Sequence, residues 1–194
     1  MATHNYPESL IPQNMEWRSL KAAIQSRSPF TGAVEGVEFA AERFAWTLTL
    51  PERRQANAAE AQAFFARIAG GIERVRMRAF TRSIPRGTLR GLPTLAAPVE
   101  RGALSLQIAG SGTLRAGDLF GVGDQVFMNF QHCGDIAGVI TVQLVHRARK
   151  AIPAGTPVVW DKPTFLVNLP TPSSSLSLRP GAAAGMTVEL VEVW

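Results

Sequence analysis

The sequence predicts a mainly β protein: a β-sandwich with one packed α-helix, plus a second small β-barrel or sandwich domain. Three observations carry this expectation. RFAWTLTL, Arg43 to Leu50, alternates large apolar residues with smaller ones at period two. NAAEAQAFFARIAGG is the one stretch with an apolar stripe at helical spacing. From about residue 99, short β-favouring runs recur, many of them separated by Gly, Pro, Asn and Asp.

Taken in order, residues 1–16 read as an N-terminal arm. They contain Pro7 and Pro12 and show no clear period, as in segments that a neighbour orders. In SPFTGAVEGVEF, Pro29 and Gly32 mark a turn, after which Val37 and Phe39 alternate with Gly36 and Glu38. In the next strand Phe44, Trp46, Leu48 and Leu50 share one face, and Ala45, Thr47 and Thr49 share the other; Pro51 ends it. The helix is expected near 57–70. Asn57 and Glu60 have capping-box spacing, Ala61, Phe64, Phe65, Ile68 and Ile72 form the stripe, and Gly70 and Gly71 supply the stop. Both Phe residues read as core.

Arg74, Arg76 and Arg78 alternate with Val75, Met77 and Ala79, a strand with a basic face. That face is either solvated and edge-protecting, or a contact with another subunit or a nucleic acid. SIPRGTLRGLP, broken by Pro and Gly, reads as a linker or loop. The later strand runs are ALSLQIAG, DQVFMNFQ, GVITVQLV, TPVVW, TFLVNL and MTVELVEV, with a long loop expected from Thr171 to Gly185. The expected organisation is discontinuous. Residues 17–82 and 164–194 form one sandwich whose sheet uses strands near 34–50, 73–81, 164–169 and 186–193. Residues 83–163 form an inserted β-rich domain.

Of the 194 residues, 46% are apolar and 18% charged, which fills a core and is far from a disordered composition. So few charges suit a surface covered by other subunits. Net charge is +5, and only three of the 20 basic residues are lysines: Lys21, Lys150 and Lys162. Arginine suits interfaces, although a GC-rich coding sequence also favours it. Cys133 is the sole cysteine, which excludes an intrachain disulfide and fits a reducing compartment. The N-terminus lacks a basic-then-apolar signal pattern, and no apolar run nears the roughly 20 residues of a membrane-spanning helix. The expectation is a soluble protein not secreted by that route, with no membrane partner.

RAGDLFGVGDQVF, Arg115 to Phe127, tests the chemistry. Gly121 and Gly123 would need a third glycine at Val126 for a dinucleotide motif, and no GK[ST] occurs. Asp118 and Asp124 have the types of an acid/base pair, but here they read as turn residues, with Gly117, Gly121 and Gly123 at turns or bulges. QHCGD holds His132, Cys133 and Asp135, without the four-ligand spacing of zinc. A Cys133–His146 hydrolase dyad is a further reading, without a local nucleophile signature. No catalytic, cofactor-binding or metal residue is therefore assigned, and no cofactor is expected. Of the tryptophans, Trp46 reads as core. Trp17 and Trp194 are less constrained and either pack inside or anchor an interface.

The order of parts carries a resemblance. A Trp-containing lead-in, SPFTGAVEGVEF, the strand RFAWTLTLP, the helix ending AFFARIAGG, and a β-rich region with LRAGDLFGVGDQVFMN, GVITVQL and PAGTPVV follow one another. From about residue 17 to 170 this resembles the distal tail proteins of long-tailed bacteriophages and prophages. The Arg-rich strand at 74–78 and the linker from Pro85 to Pro98 depart from the pattern. The resemblance implies a tail-tube-like β-sandwich and a homo-oligomer, usually a hexameric ring, joining the tail tube protein to the tip or hub protein. The tape-measure protein and then DNA would pass through its lumen. It implies no catalysis and a place in the virion tail tip, with assembly in the host bacterial cytoplasm. Interface candidates are Trp17, Arg74, Arg76, Arg78 and Trp194. The alternatives are a carbohydrate-binding module for host attachment, with Trp160 in an exposed aromatic cluster, and the Cys–His hydrolase.

Overall fold

The structure is a computed structural model that describes residues 2–170, 178–179, 182–183 and 185–193. The chain runs β1 (Thr3–Asn5), β2 (Asn14–Arg27), β3 (Val34–Leu50), β4 (Arg53–Arg54), α1 (Gln55–Ile68) and β5 (Arg74–Arg78). Then come β6 (Thr94–Leu95), β7 (Ser105–Ala109), β8 (Thr113–Leu114), β9 (Leu119–Val122), β10 (Gln125–Met128), β11 (Cys133–Ile136), β12 (Val139–Gln143) and β13 (Val158–Val159). β14 (Thr164–Asn168), β15 (Leu178–Arg179), β16 (Ala182–Ala183) and β17 (Met186–Glu192) complete it. The protein is mainly β, with one α-helix among the described residues.

A six-stranded sheet has the order β1-β5-β14-β17-β3-β2. β14 and β17, far along the chain, lie between β5 and β3. Met186 pairs with Leu50, and Leu190 with Trp46. Phe165 pairs with Met77, and Val167 with Val75. Because strand side chains alternate, these registers put Phe44, Trp46, Leu48 and Leu50 on one face with Val188, Leu190, Val75, Met77, Phe165 and Val167. α1 covers that face with Ala61, Phe65 and Ile68, all buried. The helix begins at Gln55, so Asn57 lies inside it and is not its cap. Ile72 falls past the helix end and is exposed.

The N-terminal residues do not form a free arm. β1 pairs in parallel with β5, Tyr6 and Leu10 are buried in the core, and His4 Nε2 lies 2.7 Å from Glu73 Oε2. Apolar contact within its own chain orders the segment that the sequence reads as an arm ordered by a neighbour. The loop expected from Thr171 to Gly185 lies largely outside the described residues, and its described part contains two short strands. β15 and β16 pair with each other, and β16 pairs with β4, as Arg179↔Ala182 and Ala183↔Arg53.

A second core lies between the five-stranded sheet β6-β7-β12-β11-β8 and the three-stranded sheet β10-β9-β13. The β9–β10 hairpin is shared. Leu119, Val126 and Met128 enter the first core, while Phe120, Val122 and Phe127 enter the second. One hairpin therefore forms the common wall of two cores. Its turn is Gly123-Asp124, closed by the Val122↔Gln125 pair, with Gly123 at φ 60°. Glycine at that position suits a type II′ hairpin. Gly121 is a mid-strand residue at neither a turn nor a bulge, and an added Cβ would meet the Pro163 side chain at 3.5 Å, an ordinary contact.

The expected linker after Ser83 is a strap over this second core. Pro85, Gly87 and Leu89 are buried, alternating with exposed Arg86, Thr88 and Arg90. A Cβ on Gly87 would sit 2.0 Å from the Thr113 carbonyl oxygen, so only glycine permits this approach.

The β11–β12 hairpin has the two-residue turn Ala137-Gly138, with φ of 53° and 80°. Both values require the left-handed region of a type I′ turn, where alanine is disfavoured and Asn-Gly is preferred. Ala137→Asn is expected to stabilise the protein by about 0.5–1 kcal/mol, raising Tm by roughly 1–4 °C. A thermal melt checks it; an unchanged or lower Tm contradicts the turn assignment.

Candidate functional site

Two surfaces and one internal seam hold the residues of functional interest. The first surface is the β2–β3 ribbon. β17 pairs with β3 only from Ala45 to Leu50, whereas β2 pairs with β3 back to Val34. The stretch from Val34 to Arg43 therefore has strand β2 on one side and no strand on the other among the described residues. At about 3.3 Å per residue this ribbon is about 30 Å long. A register shift between Leu20 and Ala22 marks a bulge near its base. Phe30 at its tip is 95% exposed, and Ile24 and Val34 are exposed along it. The outer edge of β2 is unpaired among the described residues, a template for another chain.

Trp17 lies in β2 opposite Trp46. It is 39% exposed, packs edge-on against Phe44 at 5.8 Å, and carries the Arg82 guanidinium 5.5 Å from its ring centre. It is half core and half surface. Trp194 lies outside the described residues.

The second surface is the outer face of β5. Val75 and Met77 are buried, and Arg74, Arg76 and Arg78 face outward, as the alternation predicts. Arg76 lies 3.8 Å from Asp124, and Arg78 lies over the Phe80 ring at 5.3 Å.

The seam joins the two cores. Arg149 is buried and donates to both Glu192 carboxylate oxygens, at 2.7 and 2.5 Å. Its Nε donates to the Glu42 carbonyl at 3.2 Å, and its backbone N–H to Gln125 Oε1 at 2.7 Å. Glu192 also accepts from the Phe44 N–H at 3.0 Å. Burial pushes the Glu192 carboxyl up from its usual value, and Arg149 with the Phe44 N–H pulls it part of the way back. Glu42, also buried, accepts from the Arg147 N–H at 3.3 Å and lies 3.7 Å from Lys21 Nζ. The ribbon base and the last strand are thereby tied to the segment that follows β12. None of these groups stood out in the sequence, because their partners are far apart along the chain.

Asp118 is more than a local turn residue. Its carboxylate accepts from the N–H groups of Arg115, Gly87 and Arg86, at 2.8, 2.9 and 3.0 Å, and from Arg86 Nε at 3.4 Å. Burial raises its pKa, but the amides of Arg115, Gly87 and Arg86 outweigh this and hold it below the usual value. A carboxylate so satisfied by backbone donors fastens the strap. Asp124 stands on the exposed hairpin tip. The two aspartates have separate environments and separate partners.

Cys133 lies in β11, with Sγ 3.6 Å from Asn129 Nδ2 and 3.9 Å from the Leu114 carbonyl oxygen. Burial pushes its thiol up, away from the reactive thiolate. His146 is buried in another place, with Nε2 2.7 Å from Ser19 Oγ and its ring edge-on to Phe44 at 4.3 Å. Trp160 is half-buried, donates to the Gly91 carbonyl at 2.9 Å and lies under Arg90 at 4.9 Å, so its ring is already engaged. No helix among the described residues is long and apolar enough to cross a membrane. No protein-family model matches the chain, and no curated protein matches it at a significant level.

Proposed function

We propose that the chain is a structural ring subunit of a bacteriophage tail, joining the tail tube to the tip or baseplate hub. The observation that carries this reading is the β2–β3 ribbon, with an open edge and exposed Ile24, Phe30 and Val34. A long, exposed apolar edge is a liability for a protein that acts alone and an asset for one that assembles. The order of sequence parts, which resembles distal tail proteins, supplies the class of assembly. In this reading the ribbon contacts a neighbouring subunit, the sheet edges join around the ring, and interface geometry is the whole mechanism.

Light scattering on the purified protein is expected to show a closed homo-oligomer, or a monomer that assembles only when tail tubes or tip protein are added. The double variant Ile24→Asp, Phe30→Asp is expected to block assembly while its thermal melt stays within about 2 °C of wild type, since both side chains are exposed. A wild-type protein that stays monomeric under all these conditions overturns the reading.

A further inference from the structure

β1 stops short of the end of β5. Their register closes at Asn5↔Arg76, and the Tyr6 N–H donates to the Arg76 carbonyl at 3.0 Å. The chain then turns away, with the Leu10 N–H on the Pro7 carbonyl. Strand alternation turns the N–H and C=O of Arg78 to the same side as those of Arg74 and Arg76. On that side no further strand follows among the described residues, so β5 keeps an open edge at Arg78, its last residue.

A groove of about 460 Å³ opens beside Arg78, reaching from Asn5, Tyr6 and Glu8 on the β1 side across Arg76 and Arg78 to Thr164 and Lys162 on the β14 side, with Glu8 as its one carboxylate. Arg76 and Arg78 are two residues apart on one strand face, about 7 Å. Lys162 is held in the left-handed region at φ 50°, with its N–H on the Ser83 carbonyl at 2.6 Å. The Phe80 ring positions Arg78 beside the edge. At 3.8 Å from an exposed aspartate, Arg76 lies beyond the 2.7–2.9 Å of a strong charge-assisted hydrogen bond, so a better anion displaces Asp124 readily.

We infer that this groove binds an extended acidic peptide of another polypeptide. The guest adds as a short strand on the open edge of β5 and sets carboxylates against Arg76, Arg78 and Lys162. A peptide fits better than a simple anion for two reasons. The open edge offers both a donor and an acceptor, and an anion uses only the donor. Alternate side chains of a guest strand also repeat at the arginine spacing on one face. The inference stands independently of the ring reading, since a monomer would present the same groove.

Fluorescence anisotropy with a labelled eight-residue peptide of alternating Asp and Val tests it. Saturable binding that weakens with added salt is expected, with none for the matching Lys/Val peptide. The double variant Arg76→Glu, Arg78→Glu is expected to weaken binding at least about tenfold. Lys162→Ala provides a milder second variant, and an unchanged circular dichroism melt confirms folding in each. N-methylation of alternate peptide amides is expected to abolish binding, because it removes the strand pairing. Equal binding of the N-methylated peptide, equal competition by inorganic pyrophosphate, or no binding of the acidic peptide would each overturn the proposal.

Discussion

Arg149→Met is expected to lower the unfolding free energy by about 3–5 kcal/mol, seen as a lower urea midpoint at unchanged slope. The arginine side chain is almost wholly enclosed and satisfies both oxygens of a carboxylate that is equally enclosed. Removing it strands Glu192 among Phe44 and the strands around it, without its main counter-charge. The loss comes mainly from an uncompensated buried charge, and less from a missing attraction. The double variant Arg149→Met, Glu192→Met is therefore expected to recover most of the stability. If the double variant falls as far as the sum of the two single variants, the two residues are not coupled.

The pH dependence has a definite sign. Burial raises the folded-state pKa of Glu192 above its unfolded value, so the folded protein holds the proton more tightly. Its contribution is most favourable below the unfolded carboxylate pKa, about 4.3, and declines as pH rises through the folded value. Without Arg149 the carboxylate loses its main counter-charge, so the decline with rising pH is expected to be steeper in Arg149→Met than in wild type. Urea titrations at a series of pH values read this directly; parallel curves for the two proteins would contradict it.

Asp118→Ala is expected to cost about 3–5 kcal/mol, because it orphans the N–H groups of Arg86, Gly87 and Arg115 together. The strap from Pro85 to Leu89 should loosen first, with faster amide exchange at Gly87 than elsewhere in the second core. Asp118→Asn keeps one acceptor oxygen and is expected to cost about half as much. Asp118 has a depressed folded pKa, so its contribution is present above the unfolded value of about 3.9 and is lost as pH falls through the folded value. The acid limb of stability should accordingly flatten in Asp118→Asn. An Asp118→Ala protein as stable as wild type would remove the carboxylate from its role as fastener.

Function follows the same division as stability. RAGDLFGVGDQVF looks like a site of chemistry by composition, yet it is the wall between two cores and the fastener of a strap. The outward-facing residues proposed to meet partners lie on β2, β3 and β5. Arg74, Arg76 and Arg78 were visible from the alternation of one strand, but the groove beside Arg76 and Arg78 was not. Its other walls come from Tyr6, Glu8 and Lys162, distant in the chain.

For β3, β5 and α1 the sequence by itself determined which face is buried. Phe44, Trp46, Leu48 and Leu50, the Val75–Met77 pair, and Ala61, Phe65 and Ile68 all declare themselves by period, because a strand or helix writes its burial into its own residues. Tertiary structure alone decided the rest. β2 has few buried side chains and no apolar alternation, so pairing with β3 makes it a strand. Leu10 and the Pro85–Leu89 strap are ordered by cores built elsewhere. Arg149 and Glu192 are 43 residues apart, and Gly87 and Asp118 are 31 apart. Polar partners at such separations leave no local period, since their desolvation is repaid only when the fold brings them together.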